Sequence, residues 1–196
     1  MSMSSASVET HPLPPFFPEG AKLLMLGSFP PQRRRWTMEF FYPNIQNDMW
    51  RIFGHIFFNN KEHFVNPDGL GFREAEIRSF LEARKIAMWD TVMEARRLKE
   101  NASDKFLESV RAIDIEAVIG QLTSCRAIAV MGQKAIDTLL EVIDVPDALA
   151  VGHCSTARIA GRRLAVYRMP SSSRAYPKSI EAKAEVYAKM FGEQNI

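Results

Sequence analysis

Hydrophobic residues occur in four short, nearly uninterrupted runs, at 22–26, 86–89, 126–131 and 164–168. Runs of this length are typical of strands that are buried on both faces, as they are in a parallel sheet. Turn-forming or polar residues close each run, as Gly27 does for the first. The pattern therefore predicts four buried strands.

Between these runs, apolar residues recur at the three- and four-residue spacing of an amphipathic helix. Helices are predicted over 48–58, 74–83, 115–119, 133–142 and 180–191, with a further helix start at Ser103. Asp114 and Ser179 precede two of them and carry the short oxygen side chains preferred at helix N-caps. Strands that alternate with helices predict an α/β fold, a three-layer α/β/α domain around a central four-stranded parallel sheet.

The amino-terminal part of the chain differs in composition from the rest. Residues 1–12 begin with small polar side chains and predict a flexible tail, whereas residues 13–196 are expected to form one domain. Prolines up to Pro18 favour an extended segment there and disfavour a helix. A length of 196 residues agrees with a single domain.

Composition excludes several classes of protein. With 46% hydrophobic and 24% charged residues, the chain is neither disordered nor collagen-like. It has no apolar stretch near the roughly 18 residues of a membrane span and no signal-peptide pattern, so we expect a soluble cytoplasmic protein. Two cysteines, Cys125 and Cys154, are too few for a disulfide framework or a metal cage.

Basic residues are clustered, although the net charge is only +2. Segment 151–180 holds six basic residues and no acidic one, and segment 20–36 contains Arg33 to Arg35 without a carboxylate. Together the two segments predict a positive face that binds a phosphate backbone. The alternative is that these arginines are solvated surface residues.

Ligands of parallel sheets bind at the carboxyl ends of the strands, so the residues that follow each run are the candidates for chemistry. These are 27–31, 90–91, 132–134 and 170–177. None contains the glycine pattern of a nucleotide-binding loop or a serine nucleophile elbow, so we expect no cofactor. The scattered histidines are His11, His55, His63 and His153. Without metal-ligand spacing or a neighbouring nucleophile, they predict surface or packed residues and no metal site.

Four short motifs, at three of these strand ends and at the head of one helix, together resemble the uracil-DNA glycosylase superfamily. They are GSFP at 27–30, NDMW at 47–50, MWDTV at 88–92 and MPSSS at 169–173. The resemblance extends over residues 12–192 and is strongest to the hypoxanthine-DNA glycosylase branch. It implies a monomeric, monofunctional, metal-independent DNA glycosylase. Such an enzyme hydrolyses the N-glycosidic bond of a deaminated base, hypoxanthine or uracil, flipped out of double- or single-stranded DNA, in base excision repair.

The resemblance also implies roles for individual residues. Many members of the superfamily orient the attacking water with a polar residue where this chain has Phe29, whereas the hypoxanthine branch uses the asparagine that matches Asn47. Asn47 is therefore the expected catalytic residue, although an asparagine at a helix start is also a common N-cap. Asp90 matches the residue that reads the base edge. A carboxylate there accepts a ring N–H or an amino hydrogen but repels a carbonyl oxygen unless it is protonated.

Further residues are expected, by the same resemblance, to form the pocket and to hold the flipped base. Gly27 and Ser28 belong to the pocket, and Ser28 also contacts phosphate. Phe29 or Phe41 stacks on the base, although either is also a plausible core residue.

The MPSSS motif and the residues after it are expected to hold the departing base and the DNA. Ser171, Ser172 and Ser173 stand where many uracil-processing members have a histidine, so their hydroxyl and backbone N–H groups must stabilise the charge on that base. Arg174 and Tyr176 are expected to supply a wedge and a phosphate contact.

Two other functions also agree with the sequence. The apolar Phe29 favours a non-catalytic module of the same fold that binds DNA or a nucleobase. A further alternative is an α/β hydrolase or transferase that acts on a free nucleoside. Its binding to duplex would lack the steep salt dependence of phosphate contacts.

Overall fold

The described part of the chain, residues 7–98, 107–145 and 149–196 of a computed structural model, contains eight strands and five α-helices. The helices are α1 (Met49–Phe58), α2 (Glu74–Arg84), α3 (Ile115–Gln121), α4 (Gln133–Leu140) and α5 (Ile180–Gln194), with a short 3-10 helix at Arg33–Arg35. The strands are β1 (Val8–Thr10), β2 (Leu23–Gly27), β3 (Ile86–Asp90), β4 (Val92–Arg97), β5 (Leu107–Ala112), β6 (Ala127–Met131), β7 (Cys154–Ile159) and β8 (Arg162–Met169). No helix in these ranges is both long enough and apolar enough to cross a membrane.

A five-stranded sheet in the order β3-β2-β6-β8-β7 forms the centre of the fold. The pairs β3/β2, β2/β6 and β6/β8 are parallel, and the pair β7/β8 is antiparallel. Partners in register at the carboxyl ends include Gly27 with Asp90 and Met131 with Met169. The residues that follow β2, β3, β6 and β8 therefore meet at one edge of the sheet.

The predicted central sheet of four parallel strands is corrected to a mixed sheet of five. The four buried runs pair in parallel, but β7 adds an antiparallel strand at one edge. Ala160 and Gly161 connect β7 to β8, and their φ angles of 49° and 72° suit a two-residue hairpin turn. Within β7 only Ala157 and Ile159 are buried. A half-exposed edge strand lacks the continuous apolar run by which buried strands are found in a sequence.

A second sheet, antiparallel and in the order β1-β4-β5, was not predicted. Three residues assigned to a flexible tail, Val8–Thr10, form β1 and pair with β4. The predicted helix start at Ser103 lies outside the described residues. From Leu107 onward the chain is a strand. This sheet begins directly beside the end of β3, since β4 starts two residues after Asp90.

Alternate residues of the central strands point to opposite faces of the main sheet. Leu23 and Met25 pack in one apolar cluster with residues of α1, α2 and α5. Leu24 and Leu26 pack in a second cluster with residues of α3 and α4. Helices therefore cover both faces in three layers, as burial of a parallel sheet requires.

Helix starts agree with the expected caps. Oδ1 of Asp114 accepts the N–H of Ala117 at 3.0 Å, and Oγ of Ser179 accepts the N–H of Ala182 at 3.1 Å. These bonds confirm the two predicted N-caps. The predicted helix over 133–142 ends earlier, at Leu140.

A buried ion pair joins α5 to the start of α1. Nζ of Lys183, a residue that is 0% exposed, donates to Oδ2 of Asp48 at 2.9 Å and to the carbonyl of Ser173 at 2.8 Å. Asp48 is 3% exposed and also accepts from Nε of Arg174 at 3.3 Å. Lys183 precedes the buried Tyr187 by four residues, so helical spacing places it on the buried face. The positions of α5, the start of α1 and the loop after β8 are thereby coupled.

The substitution Lys183→Met tests this coupling. Methionine suits the apolar surroundings, but Asp48 would stay buried with one half-exposed partner, Arg174. We expect the free energy of unfolding, measured by urea denaturation, to fall by about 3–5 kcal/mol. Lys189→Met in the same helix removes a 71% exposed lysine that lies 4.0 Å from Glu193. That control should change the free energy by less than about 0.5 kcal/mol, and similar losses in both variants would contradict the coupling.

Candidate functional site

A cleft of about 880 Å³ opens at the carboxyl ends of the parallel strands. Its walls come from the segments that follow β2, β3, β6 and β8 and from the loop before α1. This edge of a parallel sheet is where ligands bind in open α/β folds. The volume lies within the range of small-molecule sites, roughly 300–1,000 Å³.

All of the site residues predicted from the sequence line this cleft. They are Gly27, Ser28, Phe29, Asn47, Asp90, Ser171, Ser172, Ser173, Arg174 and Tyr176. They come from distant parts of the sequence, and the parallel pairing of the strands brings them together. Their positions agree with a shared site, whereas the role of each residue stays a prediction.

The loop after β8 is fastened to the start of α1 by main-chain hydrogen bonds. Asn47 and Ser173 pair as an isolated antiparallel bridge, and the N–H of Asp48 donates to the carbonyl of Ser172 at 2.9 Å. Within the loop, Oγ of Ser171 accepts the N–H of Ser173 at 3.2 Å. A hydroxyl that accepts a hydrogen bond still carries a donor hydrogen, so the serine that shapes the loop can also donate to a ligand.

The side chain of Asn47 is half-buried and held by a local hydrogen bond. Its Oδ1 accepts the N–H of Met49, two residues on, at 2.9 Å. Asp48 is the N-cap residue of α1, so this is a local turn bond and not the N-cap bond that the alternative interpretation of Asn47 expects. An amide oxygen has a second lone pair, and the amide nitrogen carries two donor hydrogens. This hydrogen bond therefore fixes the side-chain amide of Asn47 in the cleft and leaves it able to bind a water molecule.

Asp90, at the end of β3, lies against Gly27, at the end of β2. Asp90 is 5% exposed. A Cβ atom added at Gly27 would overlap Oδ1 of Asp90 and the hydroxyl group of Tyr42. Glycine is therefore required at this position, because it lets Oδ1 approach the backbone that begins the GSFP segment.

His11 contacts Asp90, which the sequence did not indicate. Its Nε2 lies 2.8 Å from Oδ2 of Asp90, and its Nδ1 lies 3.0 Å from the carbonyl oxygen of Leu13. The His11 side chain is 3% exposed, so it is packed, as one of the two sequence-based expectations had it. Its contact with the candidate site was missed because 79 residues separate it from Asp90 and no spacing pattern links the two.

Phe29 forms an apolar wall between the cleft and the small sheet. It is 7% exposed and clusters with Val92, Ala95 and Leu107. The guanidinium of Arg97 lies 5.4 Å from the centroid of its ring. Only a small part of the ring therefore faces the cleft, and a role in stacking on a base stays a prediction.

Basic side chains line the cleft, but only some of them belong to the two basic segments. Arg35 comes from the first segment, and Arg168 and Arg174 come from the second. Arg97 and Lys134 add two further positive charges from other parts of the chain. These side chains give the cleft a mainly positive lining.

Other arginines of the basic segments are used to hold the fold together. Arg33 pairs with Glu39, and Nη2 of Arg162 donates to the carbonyls of Ile119 and Leu122 at the end of α3. Arg35, Arg168 and Arg174 thus bring both segments to the cleft, whereas Arg162 is bound within the fold and Arg33 lies in an exposed ion pair. Binding of a phosphate backbone by these segments stays a prediction. The pattern of charge along the sequence does not show which arginines line the cleft and which are bound to other parts of the protein.

Metal-binding side chains do not converge within the described ranges. No group of three or more histidine, cysteine, aspartate or glutamate side chains there is arranged to hold a metal ion. Cys125 is buried, Cys154 is exposed, and both are free. Burial raises the pKa of the Cys125 thiol, which disfavours the thiolate that metals bind.

Comparison with solved structures shows that this α/β architecture is a known one. The chain has the fold of a candidate uracil DNA glycosylase from Methanosarcina acetivorans, whose structure was determined by solution NMR. The TM-score is 0.63 and the sequence identity 20%, over 97% of this chain and 100% of the other. No protein-family model and no curated protein matches the sequence. The likeness shows the fold, and the site residues rest on the geometry described above.

The substitution Gly27→Ala tests the close approach of Asp90 to β2. The added methyl group would displace Asp90, and we expect the free energy of unfolding to fall by about 1–3 kcal/mol in urea denaturation. A Cβ atom at Gly120 in α3 meets nothing within 4 Å. The control Gly120→Ala should therefore be neutral or stabilising, by up to about 1 kcal/mol. Equal effects of the two substitutions would argue against the contact.

Proposed function

We propose that this protein is a monofunctional, metal-independent DNA glycosylase that acts on a deaminated base, hypoxanthine or uracil, in base excision repair in the cytoplasm. The observation that carries the proposal is the single cleft in which Asn47, Asp90 and the serines at 171–173 meet beside basic side chains. The fold shared with a candidate uracil DNA glycosylase supports it. Its proposed substrate is a base flipped out of double- or single-stranded DNA.

The proposed reaction replaces the bond between the base and C1′ of the sugar with a bond from water. Positive charge develops on the sugar and negative charge on the departing base, which keeps the bonding electrons. Asn47 accepts a hydrogen bond from the attacking water and aims its oxygen at C1′. An amide positions water without being a strong base, so the expected enzyme is slow.

Asp90 and the serine loop beside Asn47 are proposed to hold the base. Asp90 accepts a ring N–H, and the hydroxyl groups of the serines at 171–173 donate to the base as it becomes negative. Phe29 and Phe41 both line the cleft and offer it an apolar surface. The base is thus proposed to lie between polar groups at its edges and apolar groups at its face.

The basic lining is proposed to hold the DNA backbone. Arg35 is a candidate for a phosphate contact, because it lines the cleft and comes from the first basic segment. Arg174 and Tyr176 lie on the loop after β8, next to the serines, where a wedge into the base stack is expected.

A non-catalytic DNA- or nucleobase-binding module is the second candidate function. The apolar Phe29 in the first loop favours it. A module of this kind would use the same cleft and the same basic side chains. The two functions differ in turnover, because a glycosylase cleaves the N-glycosidic bond and a binding module does not.

A cleavage assay tests the catalytic proposal. Labelled duplexes carrying one uracil, hypoxanthine or xanthine are incubated with the protein and treated with alkali, so that an abasic site is scored as a strand break. We expect cleavage of at least one lesion, and a loss of about 100-fold or more in Asn47→Ala, because water is no longer positioned.

The matched control for that assay is Asn60→Ala. Oδ1 of Asn60 accepts the N–H of Glu62 at 3.0 Å, so this substitution removes a similar local bond in an exposed loop outside the cleft. It should keep full activity. Unchanged activity in Asn47→Ala would refute the assigned role, and no cleavage of any lesion would favour the binding module.

The salt dependence of duplex binding tests the basic lining. The logarithm of the binding constant should fall steeply with the logarithm of salt concentration, and Arg35→Ala should reduce that slope by about 1. Arg163→Ala, which removes an exposed arginine outside the cleft, should leave the slope unchanged. Binding without salt dependence would favour an enzyme that acts on a free nucleoside.

A further inference from the structure

His11 and Asp90 form a buried pair directly behind the proposed base site. The distance from Nε2 to Oδ2 is 2.8 Å, and the two side chains are 3% and 8% exposed. Asp90 lines the cleft, whereas His11 does not. We infer that His11 is a positioning residue that makes Oδ1 of Asp90 an obligate hydrogen-bond acceptor, so that the cleft selects bases by a ring N–H. This inference rests on the proposed function, because it assigns the cleft to a nucleobase.

The position of the shared proton supports this assignment. A proton must lie between Nε2 and Oδ2, since two bare acceptors would repel each other at 2.8 Å. If His11 holds it, Nε2–H donates to Oδ2. If Asp90 holds it, the proton is on Oδ2. Both arrangements engage Oδ2 and leave Oδ1 as the oxygen proposed to accept a hydrogen bond from a ligand.

The imidazole ring is held firmly enough to maintain this arrangement. The main-chain N–H of His11 donates to the carbonyl of Met93 at 2.8 Å, which anchors the residue beside β4. The ring centroid lies 4.5 Å from that of Trp89 and 5.4 Å from that of Phe29. Aromatic neighbours on two sides and a main-chain partner at Nδ1 keep Nε2 directed at Asp90.

The other carboxylate oxygen is directed by its contact with β2. Oδ1 of Asp90 lies so close to Gly27 that no side chain fits there. His11 holds Oδ2 and Gly27 faces Oδ1, so the carboxylate has little freedom to turn. The carboxylate of a residue that lines the cleft is therefore held in one orientation at the carboxyl end of the sheet.

Deamination changes the feature that such an acceptor reads. Adenine has a lone pair at N1 and cytosine has one at N3, whereas hypoxanthine and uracil carry an N–H at the same ring positions. An obligate acceptor bonds to the N–H and repels the lone pair. An acceptor aligned with that ring position therefore favours both deaminated bases over their parents, whose amino groups lie on the neighbouring ring atom and reach the acceptor only if the base shifts. Guanine and thymine also carry a ring N–H, so this contact does not exclude them.

Binding measurements in an Asn47→Ala background test the inference without turnover. Affinities are measured for duplexes that differ at one position, hypoxanthine against adenine and uracil against cytosine. The Asn47→Ala protein should bind the duplex with the deaminated base more tightly than the duplex with adenine or cytosine at that position. His11→Leu should reduce that preference by about tenfold, because Asp90 is then free to turn and to place a proton on either oxygen. His11→Gln, whose amide N–H can replace Nε2–H, should retain it within about twofold.

The control is His63→Leu, which breaks a pair of the same type outside the cleft. Nε2 of His63 lies 3.0 Å from Oε1 of Glu76. This variant should keep the full preference. A second test uses Asp90→Asn, in which the Nε2–H of His11 would hold the amide oxygen and direct the NH2 group to the cleft. The preference for the deaminated base should then fall to parity or reverse, and adding His11→Leu should weaken that change, because the amide is then free to turn.

The outcomes separate this inference from the proposed function. Thermal unfolding of each variant shows whether it is folded, and His11→Phe, which keeps a ring but has no N–H to donate, replaces His11→Leu if that variant does not fold. An unchanged preference in folded His11→Leu, or no preference in the Asn47→Ala parent, would overturn the inference even if the wild type cleaves a lesion. A preference that depends on His11 in a protein that cleaves nothing would support the inference and refute the glycosylase.

Discussion

The ion pair between Lys183 and Asp48 lies in the interior, where an unpaired charge is costly. Each charge therefore requires the other, and the helix that carries Lys183 must lie where its Nζ reaches both Asp48 and the carbonyl of Ser173. Asp48 directly follows Asn47, and Ser173 ends the serine loop. The interaction thus fixes the distance between the proposed water-binding amide and the groups proposed to hold the departing base. A helix at the far end of the chain is in this way part of the site.

The other half of the cleft depends on strand register. Because β2 and β3 are parallel and pair Gly27 with Asp90, the two chains leave the sheet side by side. The missing side chain at Gly27 lets the carboxylate approach the backbone. A shift of one residue would place Asp90 beside a side chain, since Leu26 precedes Gly27 and Ser28 follows it. The ion pair and the register act on opposite walls, so together they define the cleft.

The sequence predicted the elements whose signal is local. Buried strands show as continuous apolar runs, and the caps at Asp114 and Ser179 show as single oxygen side chains before a helix. Ordering those strands in a parallel sheet was enough to bring nine of the ten predicted site residues to one edge, and the bridge to Ser173 adds Asn47. The edge strand β7 and the small sheet were missed because half-exposed strands alternate in polarity over few residues. The contact between His11 and Asp90 was missed because it is formed only by tertiary packing.

Two side chains of the cleft combine a structural bond with a proposed chemical role. Oδ1 of Asn47 accepts the N–H of Met49 at the start of α1, and Oδ2 of Asp90 is bound to His11. These bonds do not compete with the proposed roles, because each leaves a further lone pair or a second oxygen for a ligand. Catalysis or recognition by positioning requires a group that cannot rotate away from its target. In both Asn47 and Asp90, the hydrogen bond that indicates a structural role therefore also holds the side chain in the position that its proposed functional role requires.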